Sequence, residues 1–316
     1  MPFYWWIIFA VFVLFLLALD LGLLNRGKTT KVTIKQALWG TALRVGLALL
    51  FNLGIYLGWI GSYPTVAHQH QAGLEFLTGY LVEMALSVDN VFVFALMFKF
   101  FSVSSLQQQR VLIWGVIGAV IMRAVLIFAG IALIEAFSWV IYIFAMILIY
   151  GGIKMMRSDQ EEMDPEANPV LKLARRWLPI TDKAHGDHFF VREKGILYAT
   201  PLFIVLLVIE TSDLLFAVDS IPAVIAITRD SFLVFTSNIF AILGLRALYF
   251  ALAGSLQLFH FLHYGLSAIL IFIGMKMLLS HTAYKLDTVQ SLVIVGGLLV
   301  VSVVASLLFP KKEKHA

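Results

Sequence analysis

Glu83-Met84-Ala85-Leu86-Ser87-Val88-Asp89-Asn90 and Asp213-Leu214-Leu215-Phe216-Ala217-Val218-Asp219-Ser220 are two versions of one pattern. In each, an acid is followed six residues later by Asp, which has Val before it and a polar residue after it. Both stretches sit within apolar runs long enough to cross a hydrocarbon core. A carboxylate at that depth is costly unless it is paired or faces a wet cavity, so acids recurring in two such runs point to a function inside the membrane.

The match extends beyond the acids. Arg123-Ala124 opens a helix half that runs on to Gly152-Ile153-Lys154-Met155, and Arg246-Ala247 does the same to Gly274-Met275-Lys276-Met277, one residue sooner. Each copy holds three predicted helices, the first over about 73–156 and the second over about 196–280. Three crossings are an odd number, so the copies are expected to traverse the membrane in opposite senses. That is the inverted-repeat plan of many secondary transporters, whose substrate site lies between the copies near the midplane. The third and sixth spans are accordingly expected to run antiparallel, with Asp89 and Asp219 facing each other.

The rest of the chain fits one all-α polytopic transmembrane domain covering residues 1–316. Of these residues, 61% are hydrophobic and only 13% charged, about half the charge of an ordinary soluble domain. Hydropathy places about nine spans at roughly 3–24, 36–60, 73–101, 111–134, 137–156, 196–228, 231–253, 259–280 and 288–309. Met1 to Leu24 lacks the basic start and short apolar core of a cleaved leader, and is read as a retained first span. The polar segment 157–195 carries Arg157, Lys172, Arg175, Arg176, Lys183, Arg192 and Lys194, and the tail carries Lys311, Lys312 and Lys314. The positive-inside rule puts both in the cytoplasm and the N-terminus outside, the orientation expected in a bacterial inner membrane.

Several function classes drop out. The net charge of +4 is modest and its basic residues flank the apolar runs, so nothing points to nucleic acid. There is no cysteine, which excludes disulfides and thiolate metal ligands within this chain. No phosphate-binding glycine loop or nucleophile–base arrangement emerges, so neither ATP-driven transport nor an enzyme is expected. No tightly bound cofactor is expected either.

The candidate site comprises Glu83, Asp89, Asn90, Glu210, Asp213 and Asp219. At about 100° per residue, Glu83 shares a helix face with Asn90 and Asp213 with Ser220, whereas Asp89 and Asp219 fall about 120° away. Pro222 removes a backbone bond from the turn holding Asp219, and a local break there would free carbonyl oxygens. Carboxylates, the amide of Asn90 with that of Asn238 as a further candidate, and the hydroxyls of Ser87, Thr211, Ser212 and Ser220 form a hard-oxygen set suited to Mg²⁺, Ca²⁺ or Mn²⁺. Met84 offers a softer atom, but a methionine there more often just packs. The competing reading is scaffold: Arg44, Arg123 and Arg246 are also intramembrane and could pair with the acids. Lys154 and Lys276, near helix ends, are explained by snorkelling. His68, His70, His185 and His188 fall on loops, and His260 and His263 begin the eighth span; solvated or packed roles are the simpler reading for all six.

Five stretches carry a resemblance: Thr78–Val93, His188–Arg192, Leu197–Leu202, Glu210–Pro222 and Thr236–Phe250. Together they resemble the TerC family of integral membrane proteins, and its Alx branch in particular. The resemblance covers nearly the whole chain, and the family's acidic motif positions fall here on the same six residues. It implies a bacterial inner-membrane protein linked to manganese efflux and tellurite resistance, and in the Alx branch to alkaline conditions and a role as redox modulator. The expected function is therefore export of a divalent cation, with Mn²⁺ as transported substrate and protons as the exchanged ion. The alternative is a membrane partner that loads metal onto secreted enzymes or modulates redox state. The residues alone select a hard divalent cation; manganese comes from the resemblance.

Overall fold

The computed structural model describes residues 1–20, 33–157, 179–181, 186–193, 195–252, 261–279 and 286–308, without the side chains of Asp20, Asp89 and Glu193. Nine helices and one hairpin make up the described residues: α1 (Phe3–Asp20), α2 (Ile34–Tyr56), α3 (Val66–Phe100), α4 (Ser105–Ala136), α5 (Val140–Arg157), β1 (Phe190–Glu193), β2 (Ile196–Ala199), α6 (Pro201–Ile225), α7 (Ser231–Leu252), α8 (Leu262–Leu279) and α9 (Thr288–Leu308). Eight are long and apolar enough to cross a membrane, and α1 carries a shorter apolar stretch, Phe3–Leu19. The chain is thus an all-α polytopic membrane protein, as composition requires.

Helix ends follow local chemistry. Thr33 and Ser104 close reciprocal capping boxes with Gln36 and Gln107, satisfying backbone donors that the first turn leaves free. Thr65 caps α3, which therefore begins at Val66, several residues before the apolar run. Thr200 caps α6 with Pro201 at its first position, where a missing N–H costs nothing. The sixth span accordingly starts later than hydropathy suggests, because Phe190–Glu193 and Ile196–Ala199 pair as antiparallel strands instead. The Thr200 hydroxyl also donates to the His188 carbonyl at 2.7 Å, fastening that hairpin to the helix start.

Helix α7 is the axis of the bundle. Sixteen of its residues are buried, on every face, and it packs against α2, α3, α4 and, lightly, α1. A helix apolar all round belongs in a core. Around it, α3 packs on α7 and α4 packs on α6, while α5 packs on α8. The expected unwinding at Pro222 does not occur: α6 remains helical through Asp219 to Ile225. Pro222 lies in the last turn, so its ring disturbs only the Val218 carbonyl, and the Pro222 carbonyl still accepts from the Ala226 N–H at 2.9 Å.

The α5–α8 contact is reciprocal. A Cβ on Gly152 would lie 2.8 Å from the Ser267 carbonyl oxygen and 3.1 Å from the Ile271 nitrogen; one on Gly274 would lie 2.9 Å from the Ala145 oxygen and 3.2 Å from the Ile149 nitrogen. As the position on α5 falls, its partner on α8 rises, so the two helices run antiparallel. Beside a side-chain carbon of Ile271 or Ile149, the obstructing atoms are backbone and cannot rotate aside. Gly152→Ala and Gly274→Ala are each expected to destabilise the bundle by about 1–3 kcal/mol through overpacking, read as matched falls in thermal unfolding temperature in detergent.

Candidate functional site

The centre of the molecule is organised by one arginine. Arg123, on the buried face of α4, is 1% exposed. Its Nε donates to Asp213 Oδ2 at 3.2 Å and its Nη2 to Asp213 Oδ1 at 3.0 Å, a two-pronged contact with α6. Its Nη1 donates to Glu83 of α3, and reaches Ser220 Oγ of α6 and Asn238 Oδ1 of α7, each at 3.3 Å. Asn238 Nδ2 in turn donates to Glu83 Oε2 at 2.9 Å, and Asn90 Nδ2 to Asp213 Oδ1 at 3.4 Å. Four helices thus meet at one guanidinium, whose planar fork of donors suits two carboxylates.

This cluster fixes the sense of α3 against α6. The later α3 residue, Asn90, meets the earlier α6 residue, Asp213, while Glu83 and Ser220 share Arg123 Nη1. The two helices therefore run antiparallel.

Of the six sequence candidates, Glu83, Asn90 and Asp213 are drawn together here, with Arg123 as their counter-charge. Glu210 stands apart, one turn before Asp213. Its Oε2 is buried without a hydrogen-bond partner among the described residues, and its carboxylate lies against Gly118 of α4. Beside it is a cavity of about 10 Å³ lined by Glu210, Asp213, Arg246, Gly115 and Phe94 among others, about enough for one water. Asp219 is half-buried over Gly151 of α5, whose added Cβ would lie 3.4 Å from Asp219 Oδ1, and Lys154 is near enough to act on its charge. Asp89 occupies α3, and its side chain, with the expected facing to Asp219, lies outside those described. Among the described residues, no three His, Asp or Glu side chains gather closely enough to hold a metal ion.

Two buried oxygens near the cluster also lack partners among the described residues: Asn90 Oδ1 and Ser87 Oγ. The other candidate hydroxyls are engaged, Thr211 with the Leu207 carbonyl and Ser212 with the Val208 carbonyl. Asn238, weighed from the sequence only as an amide oxygen for a cation, serves as the second support of Glu83. Arg44 donates to the Gly40 carbonyl of its own helix at 3.0 Å. His68 hydrogen-bonds the Thr65 cap, and His70 stacks on Tyr56 at 4.1 Å, so both have structural work; His185 and His260 lie outside the described residues. At the loop before α3, burial and the carboxylates of Asp230 and Glu75 push the Tyr63 phenol well above its usual range.

Residues 68–314 match the family model described as integral membrane protein TerC family. The chain belongs to the TerC family. It is 47% identical over 312 residues to "Uncharacterized membrane protein STKORF319" of Myxococcus xanthus, an alignment covering 98% of this chain and 93% of the relative. It is 46% identical over 294 residues to "Putative membrane-bound redox modulator Alx" of Escherichia coli strain K12, covering 93% and 91%. The protein of that name from Photorhabdus laumondii is 46% identical over 299 residues, covering 95% and 93%. No solved structure gives a significant match.

In this TerC-family protein, removing the central cation strands two buried carboxylates. Arg123→Gln is expected to cost about 3–5 kcal/mol, with low membrane abundance and a large fall in unfolding temperature. Asp219→Asn, at a half-buried position beside glycine, should leave both near normal. Immunoblotting and fluorescence-detected melting compare the two.

Proposed function

We propose that this protein exports a divalent metal cation, Mn²⁺ above others, across the bacterial inner membrane in exchange for protons. The observation that carries the proposal is the buried oxygen set: carboxylates of Glu83, Asp213 and Glu210 on two antiparallel helices, with Asn90 Oδ1 and Ser87 Oγ beside them and without partners among the described residues. Hard oxygens without a thiolate favour Mg²⁺, Ca²⁺ and Mn²⁺. Mn²⁺ stands at the weak end of the divalent series, which suits a carrier that must release its cargo. Within that group, manganese is the choice that the family resemblance implies.

The scaffold and ligand readings are compatible in this arrangement. Arg123 is a tethered cation placed between Glu83 and Asp213, and a mobile divalent ion needs the same negative field. Asp89, Asn90, Glu210 and Asp219 then complete the path with Glu83 and Asp213. The antiparallel α3–α6 and α5–α8 contacts support two inverted three-helix repeats, α3–α5 and α6–α8, with the path between them. The basic segment 157–195 and basic tail support a cytoplasmic C-terminus and an external N-terminus.

The name redox modulator, carried by the Alx relatives, supports a second reading, redox modulation; metal loading of secreted enzymes is the other non-transport role. With no cysteine in this chain, thiol exchange would have to occur on a partner. Liposomes containing only the purified protein and a Mn²⁺-quenched dye separate the two readings. We expect Mn²⁺ flux that accelerates under a proton gradient, collapses with an ionophore that dissipates that gradient, and is lost in Asp219→Asn and Asp89→Asn at normal protein levels. Wild-type protein that moves no Mn²⁺, or variants that move it at the unmutated rate, would remove transport at these residues.

A further inference from the structure

The glycines of this bundle have two different jobs, distinguishable by what a side chain would strike. At Gly152 and Gly274 the obstacles include backbone atoms of the opposite helix, at 2.8–3.1 Å and 2.9–3.2 Å. Those residues permit close packing. At Gly118 the three nearest atoms are the carboxylate of Glu210: Oε1 at 2.4 Å, Cδ and Oε2 at 2.6 Å. No backbone atom of another helix is among them.

Gly118 lies within α4, so no unusual backbone angle calls for glycine there. Alanine would favour the helix by about 1 kcal/mol. The side of α4 at this point is therefore cut away where an acid rests, not where a helix crosses. Gly115, one turn earlier, has the same acid nearby, but its Cβ would lie at 3.7 Å, an ordinary contact. The notch is thus one residue wide.

We infer that Gly118 is a positioning residue for Glu210. It holds the carboxylate against α4, at the edge of the small cavity shared with Asp213 and Arg246, with Oε2 enclosed. This rests on the proposed role of Glu210 in the cation path and adds a determinant outside the acidic motif. A methyl group at 118 would move the far end of a flexible side chain, leaving backbone in place. Gly118→Ala should therefore fold and yet displace the acid.

Two readouts test it, one independent of transport. Labelling of Glu210 by a hydrophobic carbodiimide, quantified by peptide mass spectrometry, should be slow in the parent protein and severalfold faster in Gly118→Ala. Gly115→Ala should match the parent. Unchanged labelling in Gly118→Ala overturns the inference whether or not the protein carries Mn²⁺. If the parent moves Mn²⁺ and Glu210→Gln does not, Gly118→Ala should lose flux by about tenfold to a hundredfold, the scale of a roughly 1 Å misplacement of a working group. Wild-type flux in Gly118→Ala would overturn the inference while leaving the transport proposal standing. Should Gly118→Ala lower protein abundance, Gly118→Ala/Glu210→Ala removes the obstructed group. Recovered abundance supports the steric pairing, and no recovery overturns it.

Discussion

A guanidinium taken out of water must find its hydrogen bonds inside the protein, and Arg123 finds them on three other helices. Its desolvation is offset only because Glu83 and Asp213 are both within reach and Asn238 and Ser220 take up remaining donor capacity. Each of those groups has its own debt: two buried carboxylates need a cation, and Glu83 needs Asn238 as well. The mutual requirement fixes the rotation of α3, α4, α6 and α7 about their axes more tightly than apolar packing could. In a bilayer, lipid tails are as apolar as leucine, so helix association rests on such contacts and on close packing of small residues. The glycine contact between α5 and α8 supplies the second kind.

The proposed transport chemistry follows from an imbalance within that network. Every nitrogen of the Arg123 guanidinium has a partner, whereas Glu210 Oε2, Asn90 Oδ1 and Ser87 Oγ have none among the described residues. Unused buried acceptors are expensive in a protein interior, and at the proposed site a bound cation would satisfy them. In the proposed path, the Arg123-bound acids and the separate acids Glu210 and Asp219 would be stations of different strength.

Much of the fold was legible because membrane physics leaves few options. Long apolar runs become helices since unsatisfied backbone cannot face lipid, and the repeated acid pattern identified the helices that meet at the centre. Helix ends were less legible. Thr65 started α3 early, and the pairing of Phe190–Glu193 with Ile196–Ala199 delayed α6, both through local hydrogen bonds that hydropathy does not register. Within the site, helical projection grouped Glu83 with Asn90 and Asp213 with Ser220, as the structure does. The choice of Arg123 as their common partner required three-dimensional contacts among residues 40 to 115 positions apart. Pro222 misled because its effect depends on its place in the helix: one turn from the end, it had little ladder left to break.

Helix α7 is surrounded by protein, and that has a bearing on biogenesis. A segment with Asn238 and Arg246 among its residues is poorly solvated by acyl chains, so its resting place must exist when it leaves the translocation machinery. Chain order provides for this, since α2, α3 and α4 precede it and form most of its wall. Glu83 and Arg123 likewise enter the bilayer in turn and can neutralise one another before Asp213 is synthesised. Vectorial insertion thus delivers the charges of this protein as a growing, partly compensated set.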